Sequence, residues 1–105
     1  VLIGRSVSAY AVRLARATRP KTPDATEDVK KYLTWGAGPR ACQAMLLGAK
    51  AHALLDGRVH VSIDDIKYVA KPVLRHRLVT SFSAESDGVT TDHIVDKLCS
   101  EIPEE

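Results

Sequence analysis

The chain has 105 residues, of which 45% are hydrophobic, 27% charged and 5% aromatic, and this composition predicts a single ordinary globular domain. With so few aromatic residues, the core must consist mainly of aliphatic side chains, which favours closely packed helices over a broad sheet. A formal charge of +2 and a pI near 8.7 exclude the dense basic stripe of a dedicated nucleic-acid-binding domain, so nucleic acid is not an expected partner.

Neither the first residues nor the cysteines indicate export. Residues 1–4 lack an initiator Met and are too short and uncharged for a signal peptide, so we expect a piece of a longer protein. No apolar run approaches the roughly 20 residues that span a bilayer, so no membrane anchor is expected in this piece. Cys42 and Cys99 form neither a CxxC pair nor the disulfide framework of a small secreted domain, which predicts a cytoplasmic location.

Two helices are predicted in the first third of the chain. The first covers residues 7–18, where apolar or small side chains recur three and four residues apart. It ends before Pro20, because proline cannot continue the hydrogen-bond ladder, and residues 21–24 form a loop. Thr26 is expected to cap a second helix over residues 27–33, since its hydroxyl can accept a hydrogen bond from a first-turn amide.

The most apolar stretch, residues 41–55, predicts a third helix that is buried nearly all round in the centre of the fold. Pro39 is expected to begin it, because proline at the first helical position loses no hydrogen bond that the helix needs. Gly48 indicates a close approach by a neighbouring backbone, since glycine otherwise costs a helix interior about 1 kcal/mol relative to alanine. Gly57 is expected to end the helix in a left-handed conformation.

The second half of the chain predicts two more helices and one short extended segment. Ser62, followed by two acids, is expected to cap a fourth helix, which Pro72 should kink or restart. The β-branched residues of the 78–82 region predict the extended segment. A threonine at 90 or 91 then caps a last helix that ends in the acidic tail 103–105. The expected fold class is therefore all-α, a bundle of four to five helices.

The most informative stretch is Trp35–Ala41, a glycine-containing turn that leads into the third helix. The first amides of a helix lack internal partners and its N-terminus carries partial positive charge, so phosphate oxygens are favoured there. Arg40 adds a permanent cation, Pro39 starts the helix, and Gly36 and Gly38 keep the approach free of side chains. From the residues alone, the alternative is a turn, a proline and a surface arginine that simply begin a helix.

The string KYLTWGAGPRA, from Lys31 to Ala41, resembles the sensor 2 region of MoxR-family AAA+ ATPases, where a W-G-A-S-P-R-A string opens the third helix of the C-terminal lid. Three further stretches are similar to the family in the same order along the chain. They are residues 17–20 (ATRP), the helix-turn-helix step of residues 49–66, and residues 72–78 (PVLRHRL). Gly38 departs from the pattern, which has serine there, so a role of that hydroxyl at the nucleotide is not carried over.

The resemblance implies an all-helical lid that closes over ATP bound to a nucleotide-binding core outside this sequence. Arg40 matches the sensor 2 arginine, which contacts the ATP phosphates, with Gly36, Gly38 and Pro39 as the supporting turn and helix start. The core supplies the Walker A lysine, the Walker B acid and Mg²⁺. This chain has no GxxxxGK[ST] string and no catalytic residue of its own, so it is not expected to hydrolyse ATP alone.

The same resemblance implies the partners of the lid. They are its own AAA+ core, neighbouring subunits of a homo-oligomeric ring, and a protein that carries a von Willebrand factor A domain. ATP hydrolysis would drive a lid rotation, since the guanidinium loses its phosphate partner on hydrolysis. The implied outcome is chaperone-like remodelling of protein complexes.

Several other residues have two interpretations. Arg75, His76 and Arg77 form either a surface that faces a subunit or the core, or a helix end complemented by cations. Tyr10 is expected in the core on the apolar face of the first helix, rather than near the adenine. Asp64 is expected to serve helix capping together with Asp65. The four histidines lack metal-ligand spacing, so no metal site is expected.

The alternative to a lid is a free-standing helical binding module that binds DNA. Its basic edge would comprise Arg13, Arg16, Arg19 and Lys21, and residues 49–66 would act as a helix-turn-helix. An isolated enzyme is a third reading, but no nucleophile, base and orienting group can be assembled from this sequence.

Overall fold

The computed structural model describes residues 2–23 and 25–104, and this part of the chain contains six helices and one two-stranded ribbon. The all-α class is therefore confirmed, although the helices number one more than the upper expectation. The predicted 21–24 loop and 103–105 tail are described only in part, because residues 24 and 105 lie outside the description. The elements are α1 (Arg5–Ala17), α2 (Glu27–Tyr32), β1 (Leu33–Trp35), α3 (Pro39–Leu55), α4 (Ile63–Leu74), β2 (Val79–Thr80), α5 (Phe82–Asp87) and α6 (Thr91–Glu101).

A single aliphatic core lies between α1, α3, α4 and α6. α3 packs most extensively on α4 and also contacts α1, while α6 packs on α4 and α1. Each fully buried large side chain contributes roughly 1.5–3 kcal/mol from removal of apolar surface from water. The largest of them are Tyr10, Leu14, Met45, Ile66, Leu74 and Leu98. Within the described residues, no helix is long and apolar enough to cross a membrane.

Local caps set the helix starts that the sequence predicts. The Thr26 hydroxyl accepts from the amide of Val29, and the Thr90 hydroxyl accepts from the amide of His93. These bonds satisfy amides that have no partner inside a helix. At the C-terminal end of α3, Gly57 has a φ of 74°, which is the predicted left-handed conformation.

The 78–82 region differs from the expectation of one extended segment. Only Val79 and Thr80 form a strand, β2, which pairs antiparallel with β1. Ser81 then caps α5 by accepting from the amide of Ala84. The sequence does not predict α5, because its six residues are too few to display a helical apolar period. It does not predict β1 either, because a three-residue strand depends on a partner distant in sequence.

The fourth helix is continuous through Pro72, so the predicted restart does not occur, and the alternative of a kink stays a prediction. α4 continues to Leu74, and the amide of Arg75 still donates to the carbonyl of Lys71 at 2.9 Å. Proline removes the hydrogen bond to the residue four positions earlier, which is Tyr68. Both residues lie on the exposed side of α4, where water can serve the released carbonyl.

α3 is buried on one face only, so the expectation of a helix buried nearly all round is wrong. Its inward face consists of small residues and Met45, whereas Leu47, Leu54 and Leu55 are exposed. A Cβ added at Gly48 would lie 3.5 Å from the side chain of Val69 on α4. That distance is an ordinary van der Waals contact, so the close neighbour is a side chain rather than the predicted backbone.

Candidate functional site

The turn that precedes α3 is held by the C-terminal end of α1. The Thr18 hydroxyl accepts from the amide of Ala37 at 2.8 Å and donates to the carbonyl of Ala15 at 2.6 Å. The Nε of Arg19 donates to the carbonyl of Ala37 at 2.9 Å. Both backbone groups of the buried Ala37 are thus satisfied by consecutive residues, which orients the start of α3.

The two glycines of the turn have different roles. A Cβ at Gly36 would lie 2.4 Å from the carbonyl oxygen of Thr18 and 2.6 Å from the Cα of Arg19, so only glycine fits there. Around Gly38, by contrast, the described residues leave open space, and its backbone is extended with φ of −92°. Gly38 is the N-cap of α3, and Pro39 is its first residue, as the sequence predicts.

The N-terminus of α3 has no compensating negative charge within the described residues. No side chain caps it, and its first turn contains no acid. Acids occupy the first turns of α2, α4, α5 and α6, whereas α1 resembles α3 in having neither a side-chain cap nor a first-turn acid. The partial positive charge of the α3 N-terminus is therefore free to favour an external anion.

Arg40 lies in this first turn and is exposed. It makes no hydrogen bond or ion pair with residues 2–23 or 25–104, whereas Arg58 and Arg75 each pair with carboxylates. A guanidinium without an internal partner retains all its donors for a ligand with planar or branched oxygens.

An open groove of about 380 Å³ lies beside the helix start. One apolar wall is Trp35, which is 61% exposed, and the Lys21 ammonium lies 5.6 Å from the centre of the indole ring. An exposed aromatic ring beside a cation is typical of a surface that contacts another chain or a ligand. The groove is lined by Arg19, Pro20, Lys21, Thr34, Trp35, Gly36, Ala37, Gly38 and Pro39.

The supporting roles of Thr18 and Arg19 were not predicted from the sequence. The available signal was the ATRP string at residues 17–20. It contributed to the family resemblance, but no role was predicted for its residues. Arg19 was instead grouped with a basic edge for DNA. Its guanidinium donates to Ala37, and that of Arg13 donates to the carbonyl of Pro103 at 3.0 Å, so half of that edge is engaged internally.

The cluster of Arg75, His76 and Arg77 lies apart from the turn, at the end of α4. Arg75 forms a two-pronged ion pair with Asp92 of α6, with distances of 2.9 and 2.8 Å. Arg77 donates to the carbonyl of Val73, and His76 is exposed. Arg75 therefore joins two helices, and the predicted interface role of the cluster stays a prediction.

Tyr10 belongs to the core, as expected. It is fully buried, and its hydroxyl donates to the carbonyl of Cys99 at 3.4 Å. Burial raises the pKa of Tyr10 well above its usual range. Within the described residues, no group of three His, Cys, Asp or Glu side chains is arranged to hold a metal ion.

A buried charge network, which the sequence analysis did not predict beyond capping, joins α3 to α4. The carboxylate of Asp65 is 1% exposed and receives two hydrogen bonds from Arg58, at 2.8 and 2.6 Å. It also accepts from the amide of Ser62 at 2.8 Å and lies 2.6 Å from the Nδ1 of His52. The ring of Tyr68 stacks on His52 at 4.1 Å. Hydrogen bonds from Arg58 hold the pKa of Asp65 well below its usual range.

This lowered pKa predicts an acid-dependent loss of stability. A carboxylate whose pKa is lower in the folded than in the unfolded state stabilises the fold above the unfolded pKa of about 4. The contribution of Asp65 is then lost as the pH falls below that value, through the folded pKa. Urea unfolding from pH 7 to pH 2 should therefore show a steeper acid decline for the unmodified chain than for Asp65→Asn. If the free energy of unfolding of both proteins falls in parallel with pH, the Asp65 carboxylate does not have the stabilising role described.

Comparisons with known proteins agree with this fold. Residues 25–98 match the AAA lid domain family. The chain is 35% identical over 89 residues to the chaperone MoxR1 of Mycobacterium tuberculosis, covering 85% of this chain and 24% of MoxR1. It is 30% identical over 97 residues to the uncharacterized protein YeaC of Bacillus subtilis, covering 92% of this chain and 28% of YeaC.

The crystal structure of a Cytophaga hutchinsonii protein assigned as an ATPase superposes with a TM-score of 0.91 and 32% identity, covering 98% of this chain and 31% of that protein. The fold thus defines the helical lid of an AAA+ ATPase. Within that class, the chain belongs to the MoxR family. It spans 24% to 31% of the length of these three proteins.

Proposed function

We propose that this lid closes over ATP held by the AAA+ core of the intact protein, and that Arg40 is the sensor 2 residue that contacts the terminal phosphate. The observation that carries the proposal is an exposed guanidinium, without a partner among residues 2–23 and 25–104, in the first turn of a helix that has no first-turn acid. Helix N-termini and arginine forks are both suited to phosphate oxygens. The core would hold Mg²⁺ and supply the hydrolytic chemistry.

The contact of Arg40 differs between the two nucleotide states. With the terminal phosphate present, the guanidinium has an anionic partner and favours the closed lid. After hydrolysis and phosphate release that partner is gone, so the closed state loses this stabilisation and the lid can rotate. The hydrogen bonds of Thr18 and Arg19 to Ala37 transmit this change from the α3 start to α1.

The proposal extends to the assembly. The lid would act in a homo-oligomeric ring in the cytoplasm, where its rotation is passed to neighbouring subunits and drives chaperone-like remodelling of protein complexes. A protein that carries a von Willebrand factor A domain is the proposed partner class. Arg75, His76 and Arg77 are proposed to face the core or a subunit through the donors that Asp92 and Val73 leave unused.

The test is Arg40→Ala in the intact protein. Loss of a charge-assisted hydrogen bond costs about 1.5–3 kcal/mol, so ATP turnover should fall by about ten- to a hundredfold. Arg40→Lys should recover only part of this, because an ammonium keeps the charge but not the fork. Turnover is measured by phosphate release at saturating ATP.

The matched control is Lys30→Ala, which removes an exposed cation from α2. It should leave turnover unchanged, and both variants should keep the melting temperature of the unmodified protein. Wild-type turnover together with wild-type ATP affinity in Arg40→Ala would disprove the sensor assignment.

A further inference from the structure

The open groove beside the start of α3 is not used by the proposed contact of Arg40 with phosphate. It lies between residues 19–21 and residues 34–39, and we name it the Trp35 groove. Arg40 is not among the residues that line it. Its volume of about 380 Å³ is near the lower end of the roughly 300–1,000 Å³ that is typical of ligand pockets. The Trp35 groove can therefore hold one large side chain, but not a helix or a domain.

The walls of the Trp35 groove are fixed before any ligand binds. Thr18 and Arg19 hold both backbone groups of Ala37 through hydrogen bonds. Pro20 and Pro39 line the groove as well, and their rings fix the φ angles of the backbone there. A preformed groove loses little conformational freedom when a ligand enters, so little of the binding energy is spent on ordering it.

The Trp35 groove combines apolar walls with cations. The indole ring and the two prolines provide the apolar surface, and the Lys21 ammonium lies over that ring. Arg19 uses its Nε for the bond to Ala37, and its other two nitrogens make no hydrogen bond with the described residues. Among the described residues that line the groove, none is Asp or Glu. The complementary ligand is therefore an apolar side chain with carboxylates beside it.

We propose that the Trp35 groove binds an acidic segment of a partner protein. The segment inserts one apolar side chain against Trp35 and places carboxylates near Arg19 and Lys21. Tryptophan and arginine are among the residues that most often contribute the binding energy of protein interfaces.

Single-stranded nucleic acid is the other class of ligand that aromatic rings and cations bind. Two observations favour a protein segment instead. The Lys21 ammonium lies over the ring of Trp35, so a base would have to displace it in order to stack on that face. A formal charge of only +2 for the whole chain also gives little general attraction for a phosphate backbone.

The experiment follows the indole N–H signal of Trp35 by NMR in the intact protein labelled with isotopic tryptophan. Trp35→Phe identifies this signal by its loss. The probes are synthetic pentapeptides that carry leucine, phenylalanine or tryptophan between two pairs of glutamates. At least one of them should shift the Trp35 signal saturably, with a Kd below about 1 mM. The same peptide with glycine at its centre should cause no saturable shift, because the apolar side chain is then absent.

Charge reversal supplies the matched pair of variants. Lys21→Glu should weaken peptide binding at least about fivefold, because it places a carboxylate next to those of the peptide. Lys30→Glu makes the same change at an exposed position of α2 outside the groove, so the Kd should change less than about twofold.

The proposal is overturned if none of the three peptides shifts the Trp35 signal saturably, as would happen if the ATP-binding domain fills the groove. Equal affinity in Lys21→Glu and the unmodified protein would also overturn it. So would tighter binding of a single-stranded oligothymidylate at the same signal, because the ligand would then be nucleic acid. The turnover of Arg40→Ala is a separate readout, so the sensor assignment can fail without changing the peptide titration.

Discussion

Replacing Asp65 with alanine is expected to lower the free energy of unfolding of the 105-residue chain by about 3 kcal/mol. The change removes the partner of Arg58, an acceptor for the Ser62 amide and the neighbour of His52 in one step. Breaking a buried ion pair typically costs about 3–5 kcal/mol. The lower end applies because Arg58 is 37% exposed and retains Asp56 at 2.8 Å. The melting temperature should fall by at least about 12 °C.

Asp64→Ala is the matched control for this prediction. Asp64 occupies the same first turn of α4 but is exposed, so its loss removes only an interaction with the helix dipole. The expected cost is below about 1 kcal/mol. Thermal and urea unfolding of both variants would measure the two losses of stability. If Asp64→Ala and Asp65→Ala are equally stable, the network does not hold α3 to α4.

Replacing Gly36 with alanine is expected to cost about 2–3 kcal/mol, because the new methyl group overlaps the backbone at the end of α1. A Cβ there would lie 2.4 Å from the Thr18 oxygen, and neither segment can move without disturbing the bonds to Ala37. The start of α3 should shift with the turn. In the intact protein, ATP turnover should therefore fall even though Arg40 is unchanged.

Gly38→Ser tests whether the loss at position 36 is a steric effect or whether any substitution in the turn is destabilising. The side chain at position 38 meets open space, and serine at an N-cap is a few tenths of a kcal/mol better than glycine. The variant should match or slightly exceed the unmodified chain in melting temperature and retain turnover. A large loss in Gly38→Ser, or none in Gly36→Ala, would contradict the contact between the turn and α1.

The starts of α2, α3, α4 and α6 were predictable from sequence because each depends on neighbours within one turn. Thr26 and Thr90 cap amides three residues later, and Gly57 adopts a conformation that its lack of a side chain permits. Pro39 likewise indicated where α3 begins, which placed Arg40 in its first turn. The short helix α5 and the strand β1 were not predictable, since neither is long enough for a period to be visible.

The position of Arg40 at a helix N-terminus is thus a property of the local sequence, and the family resemblance lies in the same residues. Only the tertiary structure decided that Arg40 has no hydrogen-bond or ion-pair partner within the described residues. It also decided that the outer surface of α3 is exposed. The contact of Gly36 with Thr18, the burial of Asp65 and the outward leucines of α3 each depend on segments packing together. A side chain's exposure is decided by the whole chain, because any distant segment can cover it, whereas a cap needs only the next turn.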